Sequence, residues 1–189
     1  MGDARKPRIS CMEAMVERPA ARTLEDELEE LHPLAFGWAL ACCRRDRALA
    51  EEVLQNAYLR VLAGAARFDG RSSLKTWLFS VIRRTAASER RREWMTGRFL
   101  ARFAVQRAVP EPPPDPFTPV AASERAQAVA RALKHLSGRQ REILHLVFYQ
   151  GMTIEEAADV TGISVGSARV HYERGKARLR LLLPAEAYR

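Results

Sequence analysis

The chain has 189 residues, 47% of them hydrophobic, so it is long enough for one ordinary domain or two small ones and too apolar to be disordered. Its formal net charge of +8 favours a polyanionic partner, and nucleic acid is a better candidate for that partner than a membrane surface. The longest uncharged apolar run, Pro33 to Cys43, is too short to cross a bilayer, which excludes a membrane-spanning helix.

Three helices are predicted in the N-terminal half, where no alternating strand pattern occurs. The first covers about 24–42, with Pro33 as its start or as a kink. The second carries apolar pairs every four residues over 49–62, which gives a broad apolar stripe. The third begins at Leu74 after the turn FDGRSS (68–73), and its second half is strongly basic, so that it can project onto phosphate.

A proline-rich stretch divides the chain. PEPPPDPFTP, from Pro110 to Pro119, holds six of the ten prolines, which remove backbone donors and fix φ, so we expect an extended linker. The predicted fold is therefore all-α, with two small helical domains joined by this linker. The expected divisions are a poorly ordered N-terminus, a first domain, the linker and a second domain, over 1–22, 23–100, 101–120 and 121–184.

The C-terminal half has the pattern of a helix-turn-helix. Capping-box spacing predicts a helix that starts after Ser137 and runs to Gln150, and a short helix that starts after Thr153. Gly162 ends the short helix, and Ser164 caps a longer basic helix. This last helix is interpreted either as a recognition helix for the major groove or as a solvated surface helix, and its caps and basic run favour the first.

Three further positions in this half carry expectations about packing. Ala158 is expected where the two helices cross, and Ala168 is expected to face inward from the second helix. Thr161 is a polar residue at a turn position that is usually apolar. In the N-terminal half, the helix that carries Trp77 has two interpretations. It is either a surface for single-stranded nucleic acid, built from aromatic and basic groups, or a core helix with solvated arginines.

No catalytic residue, metal site or cofactor is predicted. The four histidines are scattered, and none pairs with a cysteine or carboxylate at metal-ligand spacing. The three cysteines form no CxxC pair, so reduced thiols are expected and not a disulfide framework. Glycine-rich phosphate loops are absent from the sequence. The N-terminus lacks the apolar core of a signal peptide, so a cytoplasmic location is expected.

Three blocks, in order, resemble the bacterial sigma factors of the extracytoplasmic-function (ECF) group. AEEVLQNAYLRVL (50–62) resembles the helix that docks on the clamp of core RNA polymerase. FDGRSSLKTWLFSVIRR (68–84) resembles the loop and helix that open the minus-ten element and trap an extruded base. LSGRQREILHLVFYQGMTIEEAADVTGISVGSARVHYERGKARLR (136–180) is similar to the domain whose second helix-turn-helix member reads the minus-thirty-five element.

The resemblance implies three sets of contact residues. The set expected to bind core polymerase is Glu51, Glu52, Val53, Gln55, Asn56, Tyr58, Leu59 and Arg60. The set expected to hold the minus-ten DNA is Phe68, Asp69, Arg71, Ser72, Lys75, Trp77, Arg83, Arg84 and Arg91. The set expected to bind the minus-thirty-five DNA is Thr153, Ser164, Val165, Ser167, Arg169, His171, Arg174 and Lys176.

Some positions depart from the family pattern. Asn56 stands where the docking helix commonly has Glu, and Ser88 stands where Asp is frequent. Arg84 replaces an Asn that helps to line the base pocket, and its length and charge favour a phosphate contact. His171 and Tyr172 replace commoner residues of the recognition helix, so a shifted DNA preference is expected.

The function that the resemblance implies is transcription initiation. The chain is expected to bind core RNA polymerase and both duplex and single-stranded promoter DNA, without forming an obligate homo-oligomer. An anti-sigma partner is implied, often a membrane protein whose cytoplasmic domain wraps the two sigma domains, so the chain is expected at the nucleoid or held at the inner membrane. The alternatives are a homodimeric helix-turn-helix repressor or activator that acts without polymerase and, more remotely, an RNA-binding or structural adaptor. No long unassigned helix is left for dimerisation.

Overall fold

The computed structural model describes residues 23–96 and 120–183, and it describes side chains in the second stretch from 127 onward. The predicted N-terminal segment and nearly all of the predicted linker lie outside these residues. The described part of the chain contains seven helices and no strand, which confirms the predicted all-α fold class. From Leu31 onward the described helices belong to one compact unit.

The first three helices begin where capping residues place them. They are α1 (Leu24–Cys42), α2 (Arg47–Leu62) and α3 (Leu74–Met95). Pro33 lies inside α1 and is not its start. The carboxylate of Asp46 accepts a hydrogen bond from the Leu49 amide (3.0 Å), and the Ser73 hydroxyl accepts one from the Thr76 amide (3.1 Å). Each bond satisfies a backbone donor that a helix start leaves without an intrahelical partner.

The core of these helices forms around Trp38. Its indole Nε1 donates to the carbonyl oxygen of Phe79 (3.0 Å), and the two rings stack with centroids 6.0 Å apart. Val53, Leu78 and Ile82 are buried beside them. Burial of each such side chain stabilises the fold by about 1.5–3 kcal/mol. This packing fixes the face of α3 that meets α1 and α2.

The C-terminal helices are α4 (Val120–Lys134), α5 (Gly138–Phe148), α6 (Ile154–Thr161) and α7 (Val165–Leu182). Both predicted capping boxes are confirmed, at Ser137 and at Thr153. Helix α5 ends at Phe148, two residues before the predicted end at Gln150. The chain leaves the helix there because Gly151 adopts a left-handed φ of 63° and the Met152 amide bonds back to Leu146 (3.0 Å).

The turn of the helix-turn-helix forms as the sequence predicts. Gly162 ends α6 with a left-handed φ of 64°, a conformation that favours glycine. Ala158 and Ala168 are buried, which confirms that Ala168 faces inward and agrees with the place predicted for Ala158. Thr161 is polar at a turn position that is usually apolar. Its buried hydroxyl is satisfied there, because it donates to the Ala157 carbonyl at 2.7 Å.

Candidate nucleic-acid and protein interfaces

The surface of α2 carries most of the predicted polymerase set. Five members are exposed: Glu51, Glu52, Gln55, Leu59 and Arg60. Asn56 is half-buried, and its side-chain amide donates to Glu89 on α3 (3.3 Å). Val53 is fully buried, so its inclusion as a contact residue is wrong. Its position in the helical repeat faces the core, where it supports the surface through packing alone.

A groove of about 430 Å³ lies beside this surface. It is lined by residues one or two turns apart on α1 and α2, among them His32, Phe36, Arg47, Gln55 and Tyr58. The Tyr58 hydroxyl and His32 Nδ1 are 3.2 Å apart, and burial raises the pKa of Tyr58 above 10, so the phenol stays protonated. The sequence analysis did not single out His32 or Phe36, although their spacing of four residues places both on one face of α1.

The loop between α2 and α3 presents an aromatic pair. The rings of Phe68 and Trp77 lie with centroids 5.4 Å apart, and Phe68 is exposed. The carboxylate of Asp69 accepts a hydrogen bond from the Arg71 amide (3.2 Å), and Gly70 takes a left-handed φ of 71°. The hydrogen bond and the left-handed glycine are both internal to the loop and define its conformation. An exposed ring beside a half-buried one is suited to stack on an unpaired base.

The predicted cations of α3 divide into two classes. Arg84 and Arg91 are exposed, and Arg84 contacts only its own helix among the bonds described, through the Ser80 hydroxyl (3.1 Å). Arg83 is occupied, because its Nε donates to the carboxylate of Glu142 on α5 at 3.2 Å. Lys75 is occupied as well: its Nζ donates to the carbonyl oxygen of Gln150 and lies 5.8 Å from the ring centre of Phe79. The structure therefore does not present this set as one open surface.

The start of α7 displays the predicted upstream-element set. Ser164, Val165, Ser167, Arg169 and Arg174 are exposed. The Ser164 hydroxyl accepts a hydrogen bond from the Ser167 amide (3.2 Å), and Arg169 lies 3.7 Å from the carboxylate of Glu155 on α6.

The other three members of that set have more local contacts. His171 is half-buried. Lys176 lies over the ring of Tyr172, 4.7 Å from its centroid, and 3.6 Å from the Glu173 carboxylate. Thr153 is occupied by its capping box with Glu156. The side chains best placed to contact base edges are therefore those of the first two turns of α7.

An aromatic cluster that the sequence analysis did not single out lies where α5 ends. Phe148 is 61% exposed and Tyr149 is 65% exposed. The ring of Phe148 stacks on Tyr172 of α7 with centroids 5.9 Å apart, and Tyr149 stacks on His145 at 5.3 Å. Two adjacent aromatic residues at the end of an amphipathic helix are the signal that could have found it. Its exposed rings make the cluster a candidate interaction surface.

Two other kinds of feature are absent from residues 23–96 and 120–183. No group of three or more His, Cys, Asp or Glu side chains is close enough there to hold a metal ion. Among these helices, none has both the length and the apolar character required to span a membrane.

Comparison with known proteins identifies the family. Residues 28–96 match Sigma-70 region 2, and residues 126–179 match Sigma-70, region 4. The ECF RNA polymerase sigma factor SigX of Bacillus subtilis is 31% identical over 138 residues, which are 72% of this chain and 71% of SigX. The chain belongs to the ECF sigma factors. The RNA polymerase sigma factor CarQ of Myxococcus xanthus is 26% identical over 166 residues, 88% of this ECF sigma factor and 92% of CarQ.

Solved structures agree with this ECF sigma factor in fold. The sigma factor RpoE of Bartonella quintana, solved in complex with the anti-sigma factor NepR, has a TM-score of 0.64 and 25% identity over 84% of this chain and 94% of RpoE. CnrH, solved in complex with the cytosolic domain of CnrY, has a TM-score of 0.56 and 23% identity over 82% of this chain and 84% of CnrH, and it supports the fold alone.

These findings confirm the predicted family and its function in transcription initiation. Region 2 covers all of α2 and α3, and region 4 covers α5, α6 and most of α7. Both halves of the predicted sigma architecture are thus present in the expected order. The alternative of a homodimeric repressor or activator is not favoured, because region 2 has no counterpart in that interpretation.

Proposed function

We propose that this ECF sigma factor binds core RNA polymerase through the exposed face of α2, holds the melted minus-ten strand with the 68–73 loop and α3, and reads the minus-thirty-five element with α7. The observation that carries the proposal is the order of three surfaces of different chemistry along one chain. These are a mixed polar and apolar helix face, an aromatic loop beside a basic helix, and a capped basic helix in a helix-turn-helix. The domain boundaries of 23–100 and 121–184 belong to the same proposal.

The α2 surface has the character of a protein interface. Leu59 is an exposed apolar side chain among the charged residues Glu51, Glu52 and Arg60. An apolar anchor within a polar rim is the usual arrangement of a specific protein contact. Tyr58 adds a protonated phenol at the edge of the groove, which can donate a hydrogen bond to a polymerase carbonyl group.

The minus-ten contact rests on stacking and phosphate binding. Extrusion of a base from the duplex costs a few kcal/mol, and stacking on an aromatic side chain stabilises the extruded base by about 1–3 kcal/mol. Phe68 and Trp77 would supply that stacking, and Arg84 and Arg91 would neutralise the adjacent phosphates. Arg84 differs from the family's usual Asn at this position, so it would add affinity for the backbone and less discrimination between bases.

The minus-thirty-five contact rests on the first two turns of α7. Ser167 and Arg169 would reach base edges in the major groove, and Arg174 and Lys176 would bind phosphate oxygens. Binding energy alone drives these steps, so we propose that the chain performs no covalent chemistry.

We also propose an anti-sigma partner. RpoE and CnrH were each solved with a partner of this kind, NepR and the cytosolic domain of CnrY. The groove beside α2 and the aromatic cluster at the end of α5 are two surfaces that such a partner could cover. A cytoplasmic location, at the nucleoid or at the inner membrane through that partner, follows from this assignment.

Reconstituted transcription tests the proposal. The purified chain is added to core RNA polymerase with fragmented genomic DNA as template, and transcript starts are mapped by sequencing. We expect initiation at a small set of promoters that share two elements, and no initiation without the chain. Tight, sequence-specific DNA binding by the chain alone, with no effect on polymerase, would contradict it.

A further inference from the structure

A carboxylate lies beside the arginine that the proposed function assigns to the base edges. Glu155 belongs to the first turn of α6, and its Oε1 is 3.7 Å from Nη2 of Arg169 on α7. This ion pair joins the two helices of the helix-turn-helix. The residues assigned above to the minus-thirty-five contact include Arg169 and leave Glu155 without a role.

Neither the cap of α6 nor the packing of the two helices requires this carboxylate. The capping box uses the neighbouring Glu156, whose Oε2 accepts a hydrogen bond from the Thr153 amide at 2.9 Å. The packing uses buried side chains such as Ala158 and Ala168. The carboxylate and the guanidinium of the ion pair belong to side chains that are 60% and 65% exposed, so solvent screens their attraction and the pair adds little to stability.

A negative charge at the start of α6 weakens binding to DNA in general. In a helix-turn-helix the first helix crosses the DNA backbone while the second enters the major groove. In the bound state Glu155 would therefore lie near phosphates, which repel a carboxylate. Because the carboxylate adds little to stability and opposes general DNA affinity, the benefit that remains is discrimination between sequences.

The guanidinium of Arg169 has enough donors for two partners at once. It carries five N–H groups in a rigid planar fork, and guanine accepts two hydrogen bonds in the major groove, at O6 and N7. The remaining donors can stay with Glu155, which then fixes the plane of the fork toward the base. An ammonium group has no such plane, so this arrangement depends on arginine.

The carboxylate also makes the alternative contacts of Arg169 less favourable. A phosphate contact forms on any sequence and carries no information about the base. On guanine, both charges of the ion pair keep a partner. On another base, Arg169 either leaves donors unpaired in the groove or turns to a phosphate and leaves Glu155 unpaired among negative charges.

We propose that Glu155 is a positioning residue for the minus-thirty-five contact, which holds the guanidinium of Arg169 against a guanine and keeps it away from the phosphates. The inference rests on the proposed function, because it takes Arg169 as a reader of base edges. It adds two properties to that function. The upstream element has a G·C pair at the position that Arg169 reads, and the sigma factor has a lowered affinity for DNA of unrelated sequence.

A base-preference profile of the holoenzyme tests this assignment. Core RNA polymerase is assembled with the native chain, Glu155→Gln, Arg169→Ala or the double variant, and it binds a promoter from the transcription assay whose upstream element is randomised. Sequencing of the bound DNA gives the preference at each base pair. Glutamine keeps the size of Glu155 and removes its charge. The matched control is Glu29→Gln, which makes the same change of net charge at an exposed position of α1, outside the helix-turn-helix.

We expect the two single variants to relax the preference for guanine at the same base pair, by about tenfold for Arg169→Ala and about fivefold for Glu155→Gln. The double variant should match Arg169→Ala, because Glu155 acts through that side chain. Glu155→Gln should also bind a scrambled upstream element about threefold more tightly than Glu29→Gln does, and the difference should shrink as the salt concentration rises.

A preference that Glu155→Gln leaves unchanged, or relaxes equally at every base pair, would overturn the inference, whereas the effect of Arg169→Ala would still support the proposed function. Additive losses in the double variant would overturn it as well, because Glu155 would then act independently of Arg169. Absence of any upstream preference in the native holoenzyme would contradict the proposed function itself, and the inference with it.

Discussion

The imidazole of His145 stacks on the indole of Trp38, with centroids 5.5 Å apart and 30° between the ring planes. Burial, together with the positive charge of Arg45, lowers the pKa of His145 from 6.5 to about 4. The ring is therefore neutral at physiological pH, and it also touches Tyr149 and Gln150. The packing of α5 against α1 thus depends on an uncharged histidine.

Acid is predicted to weaken the fold through this ring. Between pH 6.5 and pH 4 the unfolded chain binds a proton at His145 that the folded chain does not, so stability falls as the pH decreases through this window. The full shift corresponds to about 3 kcal/mol. Urea unfolding at pH 7 and pH 4.5 measures the loss. We expect it to be smaller in His145→Phe than in the native chain, and unchanged in His135→Phe, where the ring is exposed.

Two glycines of α7 are predicted to respond to alanine in opposite directions. A Cβ on Gly175 would lie 2.8 Å from Leu144 Cδ1 and 3.2 Å from its Cγ, and Leu144 is itself buried. Gly175→Ala should therefore destabilise the chain by about 1–2 kcal/mol. This value is the free-energy cost of overpacking minus the gain in helix propensity from glycine to alanine. A Cβ on Gly166 meets nothing within 4 Å, so Gly166→Ala should stabilise by up to about 1 kcal/mol. Thermal unfolding compares them, and a shift of the same sign in both would contradict the packing described for α5 and α7.

Arg169→Ala is predicted to weaken recognition of the upstream element. Loss of a good side-chain contact to a base costs about 1–3 kcal/mol, or roughly a tenfold to hundredfold loss of affinity. The measurement is promoter binding by the assembled holoenzyme, alongside the affinity of the variant for core polymerase, which should not change. Arg131→Ala, exposed on α4, is the control. An equal loss of polymerase affinity would refute the role given to Arg169.

Gln55→Ala combined with Tyr58→Ala is predicted to reduce binding to core polymerase by at least about tenfold. The two side chains line the same groove, and their removal takes away a hydrogen-bonding phenol and an exposed amide at the docking face. Titration against labelled core enzyme measures the effect, with Glu173→Ala as an exposed control. Unchanged affinity in the double variant would mean that the docking surface lies elsewhere.

Local features of the fold could be predicted from the sequence, because they depend on neighbouring residues. The caps at Ser137, Thr153 and Ser164 and the helix end at Gly162 follow from spacings of a few residues, and the structure confirms each. The resemblance implies Val53 as a polymerase contact, although its own helical repeat places it in the core. Periodicity was the better guide at that position.

Long-range contacts could not be predicted in the same way. Arg83 belongs to a helix with several other arginines, and Glu142 has Arg139 as a partner on its own helix, so nothing in the local pattern selects the pair of Arg83 and Glu142. The same holds for Lys75, whose partner is a backbone carbonyl that carries no sequence signal. The exposed part of the candidate DNA surface was therefore predictable, and its covered part was not.

The aromatic cluster at the end of α5 also limits the behaviour of the chain on its own. Phe148 and Tyr149 hold most of their ring area in water, next to Tyr172. Rings exposed to this extent associate with other apolar surfaces, including those of further copies of the chain, as the concentration rises. Solubility of the unpartnered chain is thus set by the same residues that suit it to a partner, and overproduction without one should favour aggregation.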